Sequence, residues 1–321
     1  MFWFDGLKGA RIGIPRKSYY EPFEAPVVRP EGAPGGGRGG GGRGGLNPAQ
    51  TKVMEEAIAA LKAAGATVID VDIPSMLATD PKENLLTAGQ SSVLSWGMKR
   101  DFNAWLASLG PAAPVKTLKE LIEWNKTHER LGTIKYGQTL LVSSDALDLE
   151  KDKAKYEEDR ARDIRVFGTN GIDAAVKANN LDALLFPGPG SAGIASKPGS
   201  PTVLVPFGMI PNVPGAGRGG APAGRGGGAP PAAVTTTSTT TASTTTGSTT
   251  TSSTTTATTT ATPPASTPAA PPVPLPPGFD PKPQPYGVGF TGPACSEPKL
   301  LQLAYAFEQA TKKRVPPPGL R

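Results

Sequence analysis

Two stretches near the start of the chain decide the fold: KGARIGIPRK, residues 8–17, and NPAQTKVMEEAIAALKAAGATVIDVDIP, residues 47–74. In the first, apolar residues occupy every second position up to Pro15, which predicts a short strand that ends at the proline. The second opens with Asn47 and a proline, and Gln50 follows three positions after the asparagine. This spacing is that of a capping box, so a helix is predicted to begin there.

The end of the second stretch predicts a second strand. Gly65 is a natural helix stop, and the apolar residues before it recur at helical spacing. Thr67–Ile73 (TVIDVDI) then has the composition of a strand. A strand, a helix and a strand in this order predict neighbouring parallel strands with a right-handed crossover.

The remaining ordered sequence continues the α/β pattern. Residues 81–180 are predicted to be mostly helical, with a helix near Thr117, a solvated charged helix over Asp148–Arg165 and an interruption at Gly171. Three apolar runs predict further strands, and the last of them precedes a helix capped by Ser296: Leu181–Phe186, Pro201–Phe207 and Tyr286–Gly292.

Two low-complexity blocks interrupt these elements. The chain has 321 residues with 40 Gly and 36 Pro, many of them in residues 31–46 (Gly/Arg-rich) and 212–285 (Gly/Arg, then Thr/Ser, then Pro-rich). Neither block can bury enough apolar surface to offset its chain entropy, so both are predicted to be disordered insertions. What remains is enough for one sizeable core.

Composition excludes several chemistries. Cys295 and His128 are the only residues of their types, which argues against a disulfide framework, a Cys-rich zinc site and a His-based metal site. No metal or cofactor is therefore predicted. The start of the chain lacks the pattern of a signal peptide, and no apolar run approaches the ~18 residues that span a bilayer. No membrane association is predicted, and the cytoplasm is only the default location.

Local motifs are weak. Gly188, Gly190 and Gly193 match a dinucleotide-binding pattern after a strand, but neither a helix nor a suitably placed acidic residue follows, so we favour a loop at a strand end. The acidic run from Asp145 to Asp152 lacks the spacing of a calcium loop. The arginine–glycine tracts and the net charge of +6 leave nucleic-acid binding as an alternative. Nucleic-acid binding is the less favoured alternative, because the tracts contain few arginines and no interleaved aromatic residues.

A family resemblance emerges from the order of the segments. The segments are GLKGARIGIPRK (residues 6–17), MEEAIAALKAAGATVIDVDIP (54–74), TLKELIEWNKTHE (117–129), IKYGQ (134–138), GIDAAVKANNLDALLFPGPG (171–190), PGSPTVLVPFG (198–208) and YGVGFTGPACSEPKLLQLAYAFEQATKKRVPP (286–317). In this order they resemble the second half of amidase signature enzymes. The resemblance implies an α/β/α sandwich with a mixed central sheet. It also implies hydrolysis of carboxamides by a nucleophilic serine, a second serine and a lysine base, with no cofactor.

The resemblance also sets expectations for the site. The lysine and the Gly-Gly-Ser-Ser-Gly-like segment of the family have no counterpart here, so no catalytic residue is assigned. Residues 1–321 are expected to be the C-terminal part of one amidase domain, inactive alone, whose missing half would complete the site for a small amide or peptide-like substrate. The oligomeric state stays open. The matching positions are pocket candidates: Tyr136, Gln138, Gly188, Gly190, Ser191 and Gly208.

Overall fold

The described part of the computed structural model comprises residues 5–27, 45–88, 90–212 and 282–314. Its strands are β1 (Arg11–Pro15), β2 (Thr67–Val71), β3 (Ala183–Pro187), β4 (Thr202–Ile210) and β5 (Gln284–Thr291). Its helices are α1 (Arg16–Tyr19), α2 (Pro48–Ala63), α3 (Val93–Ser108), α4 (Leu118–Thr127), α5 (Thr139–Asp145), α6 (Lys153–Asp163), α7 (Asp173–Asn179), α8 (Ala192–Ala195) and α9 (Glu297–Thr311). Short 3₁₀ helices span Pro74–Met76 and Glu129–Leu131, and a π-helical segment spans Ile164–Ile172.

The five strands form one mixed sheet in the order β2-β1-β3-β5-β4. β1 runs parallel to both β2 and β3, whereas β5 is antiparallel to β3 and to β4. The predicted parallel pair is confirmed, with Arg11 opposite Thr67 and Pro15 opposite Val71. The predicted α/β class with a mixed central sheet is confirmed as well.

Burial along the strands shows where the core lies. All five residues of β3 are buried, as expected for a strand covered on both faces. In β4 only one face is covered: Val205 and Phe207 are buried, while Leu204 and Pro206, which alternate with them, are exposed. The covered face of β4 packs against α9, where Phe207 and Phe290 both contact the ring of Phe307.

The N-terminus of α2 carries the predicted capping box. The Asn47 side chain accepts a hydrogen bond from the Gln50 amide at 3.0 Å, and the Gln50 side chain accepts one from the Asn47 amide at 3.1 Å. Two of the backbone donors that a helix start leaves unpaired are thereby satisfied. The helix ends at Ala63, and Gly65 follows with φ +91°, which confirms the predicted stop.

This cap yields a first testable expectation. Asn47→Ala removes one acceptor and is expected to lower the free energy of unfolding by about 1 kcal/mol. Chemical denaturation followed by circular dichroism measures the change. Lys52→Ala, at an exposed position of the same helix, is the matched control and should change stability little. Equal stability of the two variants would show that the capping box contributes nothing.

The prediction of a solvated charged helix was wrong in part. The α-helix covers only Lys153–Asp163, and two of its carboxylates, Asp159 and Asp163, are buried rather than solvated. They are held there by basic partners: Arg162 reaches Asp159 at 3.0 Å, and Lys197 reaches Asp163 at 3.4 Å. Charge density along the chain indicates a polar face but not which carboxylates a distant segment will cover.

Two other local predictions were also wrong. Gly171 does not interrupt the helices, because it lies inside the π-helical segment that joins α6 to α7. Ser296 precedes α9 as predicted, but its side chain makes no cap; its hydroxyl donates to the carbonyl of Pro293 at 2.6 Å.

β5 begins at Gln284, inside the block predicted as an insertion. Apart from residues 45, 46, 212 and 282–285, both predicted insertions lie outside the described residues.

Candidate functional site

The connections of the sheet create a switch point between β1 and β3. From β1 the chain passes through α2 to β2 on one side of β1, and it returns later to β3 on the other side. In open α/β sheets, ligands bind outside the carboxyl ends of the strands at such a reversal of order. Here that position is flanked by residues 16–21 after β1 and residues 188–191 after β3. We call these two segments together the switch-point edge.

The segment after β1 is tightly constrained. Ser18 is buried with φ +69°, an uncommon conformation for a residue with a side chain, and its amide donates to the carbonyl of Glu21 at 2.9 Å. The Tyr20 hydroxyl donates to the carbonyl of Leu185 in β3 at 2.8 Å. Burial raises the pKa of Tyr20 well above its ordinary value, and nearby Tyr286 raises it further. The Tyr20 side chain is therefore uncharged, and its hydrogen bond joins the segment after β1 to β3.

The basic residues of this segment are paired with carboxylates of the β2 region. Arg16 Nε lies 2.9 Å from Asp70 Oδ1, and Lys17 Nζ lies 2.8 Å from Asp72 Oδ2. All four side chains are partly exposed, so the pairs contribute little to stability. These two ion pairs neutralise much of the positive charge at the switch-point edge.

The loop after β3 is anchored by its own backbone and one hydroxyl. Gly188 has φ +51°, and its amide donates to the carbonyl of Gly287 at 2.8 Å. The Ser191 hydroxyl pairs with the Thr202 hydroxyl at 3.3 Å, and that group pairs with the Thr291 hydroxyl at 2.8 Å. These contacts hold the loop against β4 and β5.

Tyr286 places a second buried phenol beside this loop. A Cβ on Gly188 would lie 2.9 Å from Cε2, 3.3 Å from Cζ and 3.5 Å from Cδ2 of Tyr286, so this edge of the ring lies against the glycine. The Tyr286 hydroxyl is buried and has no hydrogen-bond partner among the residues that the structure describes. Burial raises the pKa of Tyr286 above its ordinary value, so the group is a neutral donor at physiological pH.

Replacing tyrosine by phenylalanine is expected to affect stability differently at positions 20 and 286. Tyr20→Phe leaves the Leu185 carbonyl without this donor and is expected to cost about 1 kcal/mol of stability. Tyr286→Phe removes a buried hydroxyl that has no described partner, so it is expected to leave stability equal or higher. Thermal denaturation of both variants checks the pair. A Tyr286→Phe loss as large as that of Tyr20→Phe would contradict the assignment.

The sequence-predicted pocket residues fall into two groups. Gly188, Gly190 and Ser191 lie together in the switch-point edge. Gly208 lies on β4 opposite Tyr286, and a Cβ there would lie 3.2 Å from Cγ2 of Val53 in α2. The other two lie between α4 and α5. Tyr136 is 87% exposed, and the Gln138 amide is occupied by a 3.3 Å bond to the Ile122 carbonyl and a 3.2 Å bond from Asn125.

Sequence reasoning missed Tyr20 and Tyr286 as site residues. The one available signal was Tyr286 at the head of YGVGFTG, where glycines at alternate positions leave room for a neighbouring loop. No signal pointed to Tyr20, whose partner Leu185 is 165 positions away.

Neither a metal-binding cluster nor a membrane-spanning helix is found within the described residues. Within them, no group of three or more His, Cys, Asp or Glu side chains is placed to hold a metal ion. His128 is the C-cap residue of α4, its ring stacks on Trp124 with centroids 4.0 Å apart, and Cys295 is exposed. No helix in the described ranges is long and apolar enough to cross a bilayer.

Comparison with known proteins finds amidases. No family model matches the chain. A probable amidase of Arabidopsis thaliana is 23% identical over 269 residues, which are 83% of this chain and 38% of that protein. The native peptide amidase of Stenotrophomonas maltophilia matches 98% of this chain and 45% of its own with TM-score 0.53 and 24% identity. An amidase family protein of Bacillus anthracis matches 98% and 41%, with TM-score 0.53 and 20% identity.

These comparisons confirm the predicted resemblance to amidases and the fold that it implies. The chain spans 38% of the length of the curated relative and less than half of each of these two solved chains.

Proposed function

We propose that this chain is the C-terminal part of one amidase domain and forms part of a site that hydrolyses a small or peptide-like carboxamide. The proposal is supported chiefly by the fold match to a peptide amidase over 98% of the chain. The order of the amidase-like segments in the sequence and the location of GPGS at the carboxyl end of β3 agree with it.

The loop of residues 188–191 is proposed to shape the pocket rather than to perform the chemistry. The amides of Gly188 and Gly190 already donate to the carbonyls of Gly287 and Pro187, so they are not free to bind an oxyanion. The Ser191 hydroxyl pairs with Thr202 and not with a basic group that would activate it as a nucleophile. Gly208, Tyr136 and Gln138 are kept as pocket candidates of lower weight.

The groups that cleave the bond are proposed to come from outside this chain. Amide hydrolysis of this class needs a serine that attacks the carbonyl carbon and a base that takes its proton. The same proton must then reach the departing amine, and water must release the acyl group from the serine. Because no lysine and paired serines of the family pattern occur in this sequence, the chain alone is expected to be inactive.

An ammonia-release assay tests this proposal. The purified full chain is incubated with a peptide amide and is expected to release no ammonia above a blank. The same chain, tagged and isolated with its partners from its own cells, is expected to release ammonia in a reaction that a fluorophosphonate serine reagent abolishes.

A matched pair of variants links the activity to this chain. Gly188→Ala puts a methyl group 2.9 Å from the Tyr286 ring and is expected to reduce the activity of the isolated assembly. Gly97→Ala, where the nearest atom to the added Cβ is 3.9 Å away, should leave it unchanged. An assembly without amidase activity would contradict the proposal. Co-purified RNA with steeply salt-dependent binding would favour the nucleic-acid alternative instead.

A further inference from the structure

We infer that the switch-point edge binds a neutral carbonyl group, with the Tyr286 hydroxyl as its hydrogen-bond donor. The inference rests on the proposed function only in choosing a carboxamide as the first carbonyl compound to test. Tyr286 is thereby assigned as a residue that contacts the ligand, outside the six pocket positions that the sequence indicates.

Position is the first argument. The carboxyl ends of β1 and β3 lie side by side at the reversal of strand order, which is where open α/β sheets leave a crevice. Tyr20 joins these two ends through the Leu185 carbonyl. Tyr286 approaches the same place from β5, because the edge of its ring that includes Cζ, the carbon bearing the hydroxyl, lies against Gly188.

The unpartnered hydroxyl is the second and independent argument. Buried polar groups in folded proteins nearly always have a hydrogen-bond partner, and an exception calls for a specific reason. Tyr286 is 7% exposed, and its hydroxyl has no partner in the described residues, whereas the neighbouring Tyr20 hydroxyl is satisfied. A ligand oxygen placed at this hydroxyl would supply the missing acceptor.

Charge at the edge selects the class of ligand. Arg16 and Lys17 are each paired with an aspartate, so the edge offers an anion little unpaired positive charge. A phenol that stays protonated donates one hydrogen bond, which suits the oxygen of an amide or a ketone. A carboxylate or phosphate would lose its hydration without a compensating cation.

Binding requires the loop of residues 188–191 to shift. Gly188 and Ser191 are buried, whereas Pro189 between them is exposed. The hydrogen bond from the Gly188 amide to the Gly287 carbonyl is the contact that such a shift gives up. The absence of a side chain at Gly188 leaves only backbone against the phenol ring.

Fluorine NMR titration of the full chain tests the inference. The probes are 4-fluorobenzamide and 4-fluoroacetophenone, which share a neutral carbonyl, and 4-fluorobenzoate, which is an anion of similar shape. The wild-type chain is expected to bind a neutral probe and not the anion. Tyr286→Phe is expected to weaken that binding by about 5- to 10-fold, which is the range for one lost hydrogen bond. Tyr156→Phe, a phenol on α6, is the matched control and should bind as the wild type does.

The outcomes separate the inference from the proposed function. Binding of the ketone but not the amide, lost in Tyr286→Phe, would support the carbonyl site and count against amide hydrolysis. Equal affinity of wild type and Tyr286→Phe, or no binding of either neutral probe, would overturn the inference whatever the ammonia assay gives. A thermal midpoint of Tyr286→Phe clearly below that of Tyr156→Phe would also overturn it, because the hydroxyl would then have a structural partner.

Discussion

Phe307→Ala is expected to lower the free energy of unfolding by about 4 kcal/mol, the typical cost of deleting a fully buried aromatic side chain. Phe307 is 0% exposed and its ring contacts Phe290 of β5 and Phe207 of β4, with centroids 5.7 and 5.2 Å away. Removing it leaves a cavity between α9 and the antiparallel side of the sheet. Since whole domains are stable by only about 5–15 kcal/mol, the variant should be close to unfolding.

A substitution on the same helix controls for this effect. Leu301 is 47% exposed on α9, so Leu301→Ala should change stability by well under 1 kcal/mol. Urea denaturation of both variants and the wild type gives the comparison. The dependence of the unfolding free energy on urea concentration should be the same for all three proteins. A loss at Phe307 no larger than that at Leu301 would show that α9 does not pack on the sheet as described.

Asp159→Asn is the second substitution with a large expected effect. It should lower the free energy of unfolding by about 3 kcal/mol at neutral pH. The buried carboxylate accepts hydrogen bonds from the amide and hydroxyl of Ser92, both at 2.8 Å, and it pairs with Lys155 and Arg162. An amide can keep the Ser92 contacts but cannot neutralise the two cations. Arg162 is largely buried, and after the substitution it would keep only its longer, 3.7 Å pairing with Asp163.

The pH dependence gives this prediction a second readout. Burial raises the pKa of Asp159, but hydrogen bonds from Lys155 and Ser92 and the charge of Arg162 outweigh burial, and the net pKa lies below its ordinary value. A depressed carboxyl pKa stabilises the fold above the unfolded-state value, near 3.9, and that stability is lost as pH falls through the lower folded-state pKa. Asp159→Asn should therefore flatten the stability profile below about pH 4.

Denaturation at several pH values checks both parts of the prediction. Glu158→Gln, an exposed neighbour on α6, is the matched control and should keep the wild-type profile. A parallel loss of stability at all pH values in Asp159→Asn would mean that packing rather than charge causes its effect.

Much of the local structure follows from the amino-acid pattern. The capping box at Asn47, the stop at Gly65 and the two strands on either side depend on interactions within a few residues. The apolar runs that became β3, β4 and β5 are likewise visible as runs, and their boundaries shift by only one to three residues. The order of these segments was enough to indicate the amidase-like α/β fold.

Other features were decided only by tertiary structure, because they depend on contacts between residues far apart in the chain. Nothing in the local pattern places β5 between β3 and β4, or buries Asp159 beside Ser92, 67 positions away. The switch-point edge arises where β1 and β3, separated by more than 160 residues, become neighbours. The sequence by itself determined most of the elements and the loop at Gly188. Burial and the pairing of distant strands decided that a phenol, Tyr286, lies behind that loop with no hydrogen-bond partner among the described residues.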